Sequence, residues 1–332
     1  MTKLICIGAC YLDTILSVPF FPKEDLKLRA TSLSVRRGGN CPNSLEVLQQ
    51  LLAQQPNHNV QPFLVSCLPS EAAPATARIL SSFGPRSIVD FSRCIFRSQH
   101  SDAASSYIIR SEASGTRTLV NYNDLPEMTV NEFVDLASGL VVDGDDGDDT
   151  WWHFEGRIPE TTLMCIQHLR LYYPACKISV EVETPGREGL EQLAAEADVV
   201  FYSKTWAERK GYRNAAECLI VQSEVTHKAS LLLVTWGSDG ASALSLPSRH
   251  LVSCPALLPG QVINVIDTVG AGDTFIGSVL FGLLCHQHDW DTEARVKFGV
   301  QLATCKVQRE GFDGVGACAM GLDEGENSVY QK

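Results

Sequence analysis

Asp267-Thr-Val-Gly-Ala-Gly-Asp-Thr-Phe275 is the stretch on which the reading of this chain turns. It follows an apolar run, Val262 to Ile266, that reads as a strand. It opens a helix whose stripe of Phe275, Val279 and Leu283 is backed by Ile276, Leu280 and Leu284. Gly270 and Gly272 let the backbone turn tightly and leave N–H groups uncovered, and a helix start adds free donors and the positive end of its dipole. Such a turn is an anion hole suited to a phosphate whose charge grows during transfer, with the N–H groups of Ala271 and Gly272 as donors. Asp273, in the first turn, is placed to accept the proton of an incoming hydroxyl. The same residues also read as a capped helix behind a glycine turn, and spacing alone leaves both readings open.

Outward from this turn, strand and helix signals alternate. Leu4 to Ile7, Trp151 to Phe154, Ile178 to Val182, Val199 to Tyr202 and Leu231 to Val234 read as strands. Helical faces appear at Leu45/Leu48/Leu52, at Val130/Phe133/Val134/Ala137 and at Leu163/Ile166/Leu169. Strands separated by helices imply βαβ units and a mostly parallel sheet with helices on both faces. Two stretches depart from this rhythm. Residues 11–37 and 95–122 are β-like without long helices, and the second carries a hairpin signal around Ser114-Gly115. They predict a small separate sheet that serves as a lid or a dimer contact. The expected organisation is one domain over residues 1–320 and a polar, frayed tail over 321–332.

The chain has 332 residues, is 45% hydrophobic and carries a net charge of −12. That length can bury a full core, and the absence of a basic stripe argues against a nucleic-acid binder. No signal peptide and no membrane-spanning stretch is read, and none of the 12 cysteines forms Cys-x-x-Cys. The expectation is a cytoplasmic protein with reduced thiols. Scattered Cys with His286 and His288 lack the spacing of a zinc site. The acidic run Asp143 to Asp149 departs from an EF-hand loop and reads as a solvated loop.

A second constellation is Arg37-Gly-Gly-Asn40-Cys-Pro-Asn43, which opens the Leu45 helix. Two glycines allow close approach to the backbone, and two amides offer donors and acceptors suited to sugar hydroxyls. Equally, Asn40 reads as a helix cap with Pro42 in the first turn.

These two segments resemble the signatures of the ribokinase-like (PfkB) carbohydrate kinases. Segments such as Pro22-Lys-Glu-Asp25, Glu112 to Thr118, His153-Phe-Glu-Gly-Arg157, Val180-Glu-Val-Glu183 and Gly311-Phe-Asp-Gly314 resemble the ketohexokinase branch, in the same order. The resemblance implies a three-layer α/β/α sandwich with a β-sheet lid, or β-clasp. It implies a kinase that moves the γ-phosphate of ATP, with Mg²⁺, to a primary hydroxyl of a ketohexose such as fructose, with Asp273 as base. It further implies Asp13, Gly39, Asn40 and Asn43 as sugar contacts and Arg117 near the ATP phosphates. Gly237, Ser238, Asp239 and Gly240 become nucleotide contacts, and K⁺ sits near Asp267 and Thr268. A homodimer through the lid would carry Asp25 towards the partner's site, although Asp25 also reads as a solvated loop charge. The family's Asn-x-x-Glu motif is absent at Ser203-Lys-Thr-Trp206. Mg²⁺ is then held largely by ATP and water, and Glu183 is either one shell out from it or an ordinary strand-end carboxylate. Two alternatives stand beside this reading: a kinase for another sugar or a nucleoside, and a non-catalytic sugar sensor on the same fold.

Overall fold

Continuous apolar runs become strands covered on both faces, because a parallel strand lies between two layers of helices. The structure, a computed structural model, describes residues 1–141, 147, 149–258 and 260–323. The acidic run 143–149 therefore lies outside the described residues, apart from Gly147 and Asp149. The chain begins with β1 (Thr2–Ile7), β2 (Tyr11–Val18), β3 (Ser32–Gly38), α1 (Asn40–Leu52), β4 (Val60–Val65), β5 (Cys67–Pro69) and α2 (Pro74–Ser81). Next come β6 (Ile95–Arg97), β7 (Ala104–Ser111), β8 (Arg117–Tyr122), α3 (Val130–Ser138), β9 (Thr150–Phe154), α4 (Pro159–Tyr172) and β10 (Lys177–Val182). There follow α5 (Leu190–Glu196), β11 (Val199–Tyr202), α6 (Lys204–Arg209), α7 (Ala215–Gln222), β12 (Leu231–Thr235), β13 (Ala241–Ser245) and β14 (His250–Cys254). The chain closes with α8 (Ala271–Cys285), α9 (Thr292–Val307) and α10 (Val315–Asp323).

The main sheet has eight strands in the order β14-β13-β12-β11-β10-β9-β1-β4. Strands β4 through β12 in that order pair in parallel, and β13 and β14 continue the sheet antiparallel. Side chains alternate between the two layers. Leu4 and Cys6 of β1 join the core with α1, α8 and α9, while Ile5 and Ile7 join the core with α3, α4 and α7. The expected sandwich is therefore present. Helices α1 and α8 cross closely because residue 277 is glycine: a Cβ there would lie 2.6 Å from the Ser44 carbonyl oxygen. This crossing brings the N-termini of both helices to one place.

A separate four-stranded sheet, β3-β2-β7-β8, forms the expected lid, with the β7–β8 hairpin turning at Gly115. Three expectations about boundaries are corrected. First, the second lid segment starts at Ala104, not Ile95. Strand β6 pairs with β5 in a sheet of its own, and the Ile95 N–H is held by the Ser66 carbonyl at 2.9 Å. Second, Val262 to Ile266 forms no strand; Val262 is 91% exposed, and Val262, Ile263 and Val265 wall a cleft instead of a sheet. Their apolar pattern serves a binding surface, which sequence periodicity does not distinguish from a core strand. Third, α10 carries the chain as helix to Asp323, past the boundary expected at 320. The thiols are also not all reduced: Cys305 of α9 and Cys318 of α10 lie 6.7 Å apart at Cα and are joined as a disulfide, while the other ten cysteines are free. No helix among the described residues is long and apolar enough to cross a membrane.

Candidate active site

The glycine turn forms as the sequence predicts. Gly270 is the N-cap of α8 with φ 78°, and a side chain there would strike Phe312, whose ring carbon would sit 2.2 Å from a Cβ. The Thr274 N–H and hydroxyl both bond to the Gly270 carbonyl at 2.8 Å, which locks the first turn. The Ala271 N–H makes a long contact of 3.4 Å to the Thr268 carbonyl. The Gly272 N–H has no acceptor among the described residues, and nothing lies within 4 Å of where its Cβ would be. An uncovered donor on an open helix end is the element an oxyanion or phosphate needs. Asp273 does not cap α8, since Gly270 does.

Its carboxylate instead meets α1. Asn43 Nδ2 donates to Asp273 Oδ2 at 2.8 Å, and the Ser44 hydroxyl donates to the Asp273 carbonyl at 3.1 Å. Asn40 is not a cap either. Gly39 is the N-cap of α1, with φ 108° and no room for a Cβ, which would lie 2.0 Å from the Ala9 carbonyl oxygen. The Asn40 amide points across the site, and its Nδ2 donates to both Glu181 Oε2 and Glu183 Oε2 at 2.7 Å. Asp13, on β2, is buried beside the same loop: a Cβ on Gly38 would lie 2.3 Å from its Oδ2.

Glu181 is the residue that sequence reasoning missed. It is 2% exposed and accepts from Asn40, and its Oε1 lies 3.0 Å from His153 Nε2, whose Nδ1 meets the Ser179 hydroxyl at 2.9 Å. The alternation of Val180-Glu-Val-Glu183 was the available signal, because an acid at a core-facing register of a buried strand needs a reason. Burial, with Glu183 adding to it, pushes the Glu181 carboxyl up to about 8, and burial together with Glu181 lifts Glu155 to about 7. Burial holds His153 down near 4, so it is neutral. Asp273 is raised well above its ordinary value by burial and by Glu181, then by Glu183 and Glu155, against the Asn43 bond. Among the described residues no lysine or arginine is paired with Glu181, Glu183 or Asp273. Glu181 and Glu183, brought together on the Asn40 amide, offer hard oxygen donors of the kind Mg²⁺ takes.

The other end of the turn is different. Asp267 Oδ2 accepts from Arg36 at 2.9 Å, from the buried Lys306 ammonium at 3.1 Å and from the Gly311 N–H at 3.3 Å; its Oδ1 accepts from the Val269 N–H at 2.9 Å. Lys306, 0% exposed, also donates to the Asp267 carbonyl at 2.9 Å. The Arg36 and Lys306 charges and these hydrogen bonds outweigh burial and bring the Asp267 carboxyl down to about 2. The side chain expected beside a K⁺ ion is thus already committed to two protein cations.

Thr268, Ala271 and Gly272 open onto a cleft of about 550 Å³ whose walls include Gly237, Ser238, Gly240, Leu257, Val262, Val265 and Val300. Its size is that of a small-molecule site, and its apolar walls suit a purine base. Asp239 is not part of the wall. Arg117 is exposed on β8, opposite Arg110, whose guanidinium reaches the Ile266 carbonyl at 3.2 Å. Asp25 is exposed on the loop after β2, with φ 60°. A smaller chamber lies beside the cleft and shares Thr235, Gly272 and Phe275 with it; Asn40, Glu181, Glu183 and Asp273 face it beside an apolar wall that includes Phe201 and Leu233.

The model of pfkB family carbohydrate kinases matches residues 1–314. The chain belongs to this family. Ketohexokinase from Mus musculus is 32% identical over 322 residues, covering 94% of this chain and 98% of that protein. A fructokinase from Rhizobium leguminosarum bv. trifolii is 31% identical over 94 residues, 28% of this chain and 27% of that protein. Among solved structures, ribokinase from Giardia lamblia superposes with a TM-score of 0.76 at 17% identity, covering 98% of each chain. Arabidopsis thaliana ribokinase complexed with ribose and ATP gives 0.72 at 15% identity, over 97% of this chain and 98% of that one. This pfkB family member is an ATP-dependent carbohydrate kinase on a ribokinase-like fold.

Proposed function

We propose that this kinase transfers the γ-phosphate of ATP to a primary hydroxyl of a ketohexose, with fructose giving fructose 1-phosphate. The observation that carries the proposal is the position of Gly272 and Asp273. Gly272 lines both the nucleotide-sized cleft and the smaller chamber, and Asp273 lines the chamber, so a hydroxyl in one can face a phosphate in the other. Asp273 takes the hydroxyl proton as the oxygen attacks the γ-phosphorus, and the bond to the bridging oxygen of ADP breaks. The Gly272 N–H, with Ala271 beside it after the Gly270 turn, meets the charge on the transferring group. Asp13, Gly39 and Asn40 hold the sugar, and Asn43 holds Asp273. Gly237, Ser238 and Gly240 line the nucleotide side, and Arg117 and Arg110 sit above the phosphates. Glu181 and Glu183 are the residues that would face Mg²⁺, which neutralises phosphate charge when it is bound with ATP.

The ketose preference draws on the likeness to mouse ketohexokinase over 94% of the chain. We extend the proposal to a homodimer through the lid. Tyr107, Leu119, Val120 and Tyr122 expose large apolar surface on β7 and β8, and an isolated sheet of this size is marginal without a covering surface. In that dimer Asp25 reaches the partner's chamber. A panel of ketoses, aldoses and nucleosides with ATP and Mg²⁺ tests the substrate. Phosphorylation of fructose at its 1-hydroxyl, read by NMR, with at least about tenfold higher kcat/KM than for ribose or adenosine, is the expected outcome. A preference for an aldose or a nucleoside overturns the ketose reading and leaves the kinase in place.

A further inference from the structure

The Asn43 amide faces two ways. Its Oδ1 accepts from Arg37 Nη1 at 3.1 Å, and its Nδ2 donates to Asp273 Oδ2 at 2.8 Å. Turned over, the amide would set its oxygen against the Asp273 carboxylate. A neighbour that can only donate selects the orientation seen, and a guanidinium is such a neighbour. Arg37 is itself fixed: Nε donates to the Ser82 hydroxyl at 3.0 Å, Nη2 to Glu46 Oε2 at 3.0 Å, and its carbon lies 4.3 Å from the centre of the Phe83 ring. The side chain is buried, so no water competes for these bonds, and its planar fork allows little reorientation.

We propose that Arg37 is a positioning residue for phosphoryl transfer: by holding Asn43 Oδ1, it keeps the amide aimed as a donor at Asp273 and so holds that carboxylate in place for the incoming hydroxyl. The proposal rests on the reading of Asp273 as the base. Asp273 is faced by Glu181 and Glu183 from the end of β10, by Glu155 after β9 and by Asn43 from α1, with Arg37 on β3 and Lys306 on α9 further out. Arg37 in turn is faced by Glu46 of α1, Cys10 after β1 and Asp13 of β2. Among the described residues the Asn43 bond is the one side-chain hydrogen bond to the Asp273 carboxylate, and its direction depends on Arg37.

The test is the split between kcat and KM for the sugar. The variants are Arg37→Met with Glu46→Met, Asn43→Ala, and all three changes together. The Glu46 change removes a carboxylate that would otherwise be left buried without its partner. In Arg37→Met/Glu46→Met kcat falls about tenfold, while KM for the sugar and for ATP stays within about twofold. Added to Asn43→Ala, the same changes lower kcat no further, because Arg37 acts through Asn43. Arg37→Lys, which keeps a charge and a donor, lowers it less. An unchanged kcat in Arg37→Met/Glu46→Met, or losses that multiply in the triple variant, overturns the proposal. If that pair does not fold, the same cycle with Arg37→Lys decides on the same two criteria. Asp273→Asn, measured alongside, separates the two failures. Retained turnover there removes the base reading, whereas an inactive Asp273→Asn with an unchanged kcat in Arg37→Met/Glu46→Met removes only the role of Arg37.

Discussion

Asp267 and Asp273 bracket one turn, and the fold treats them in opposite ways. Asp267 has two cations on one oxygen and backbone N–H groups on both, and its carboxyl sits near 2. Asp273 has one amide and three neighbouring carboxylates, and its proton affinity is raised. Two consecutive arginines of β3 divide between them, because neighbours on a strand point to opposite faces. Arg36 bonds to Asp267 directly, and Arg37 reaches Asp273 only through Asn43. An aspartate whose charge is fully matched anchors the turn, and one whose charge is left unmatched is available for proton transfer.

The largest expected break in this contrast is kinetic. Asp273→Asn keeps the shape but removes the proton acceptor, and turnover should fall by about 10²–10⁴-fold with ATP binding little changed. More than about half of the original kcat would contradict the assignment. Asp267→Asn should act on stability first. It leaves the buried Lys306 without its counter-charge, and breaking such a pair costs about 3–5 kcal/mol, read as a lowered urea midpoint. A midpoint like that of the unaltered protein would show that Lys306 finds another partner. The pH dependence of that gap sharpens the comparison. The Asp267 carboxyl is held at about 2, below its ordinary 3.8, so its pairing stabilises the fold fully above about pH 4 and is lost as pH falls towards 2. The difference between the unaltered protein and Asp267→Asn should therefore narrow by about 2 kcal/mol between about pH 5 and pH 2; a constant gap would refute this. The smallest effect has the opposite sign. Asp273 is raised, so its ionisation costs stability as pH climbs through its folded value. At neutral pH, Asp273→Asn should melt slightly higher, by roughly 2 °C, and a lower melting point would count against an unmatched charge at that position.

Much of this arrangement was legible in the sequence because it is local. The glycine turn, the helix it opens and the Arg37-Gly-Gly-Asn40 segment are contiguous patterns, and each lies where expected. The β7–β8 hairpin was legible for the same reason. What escaped notice depends on chain crossings. Asn43 meets Asp273, Asn40 meets Glu181 and Lys306 meets Asp267 only once α1, β10, α8 and α9 have packed, and no spacing in the sequence encodes those distances. The capping alternatives for Asn40 and Asp273 failed because Gly39 and Gly270, with positive φ, take the cap positions. Val262 to Ile266 misled because an apolar run has the same composition whether it walls a cleft or fills a sheet.

The close crossing of α1 and α8 has a consequence in genetic terms. A methyl group at residue 277 has nowhere to go, since the Ser44 carbonyl is backbone and would lie 2.6 Å from it. Gly277→Ala wedges the two helices apart about one turn from Asp273, and the strain falls on the contacts that join Ser44 and Asn43 to that residue. Such a change produces a conditional allele, active in the cold and first to lose function on warming, although it touches neither the sugar chamber nor the nucleotide cleft.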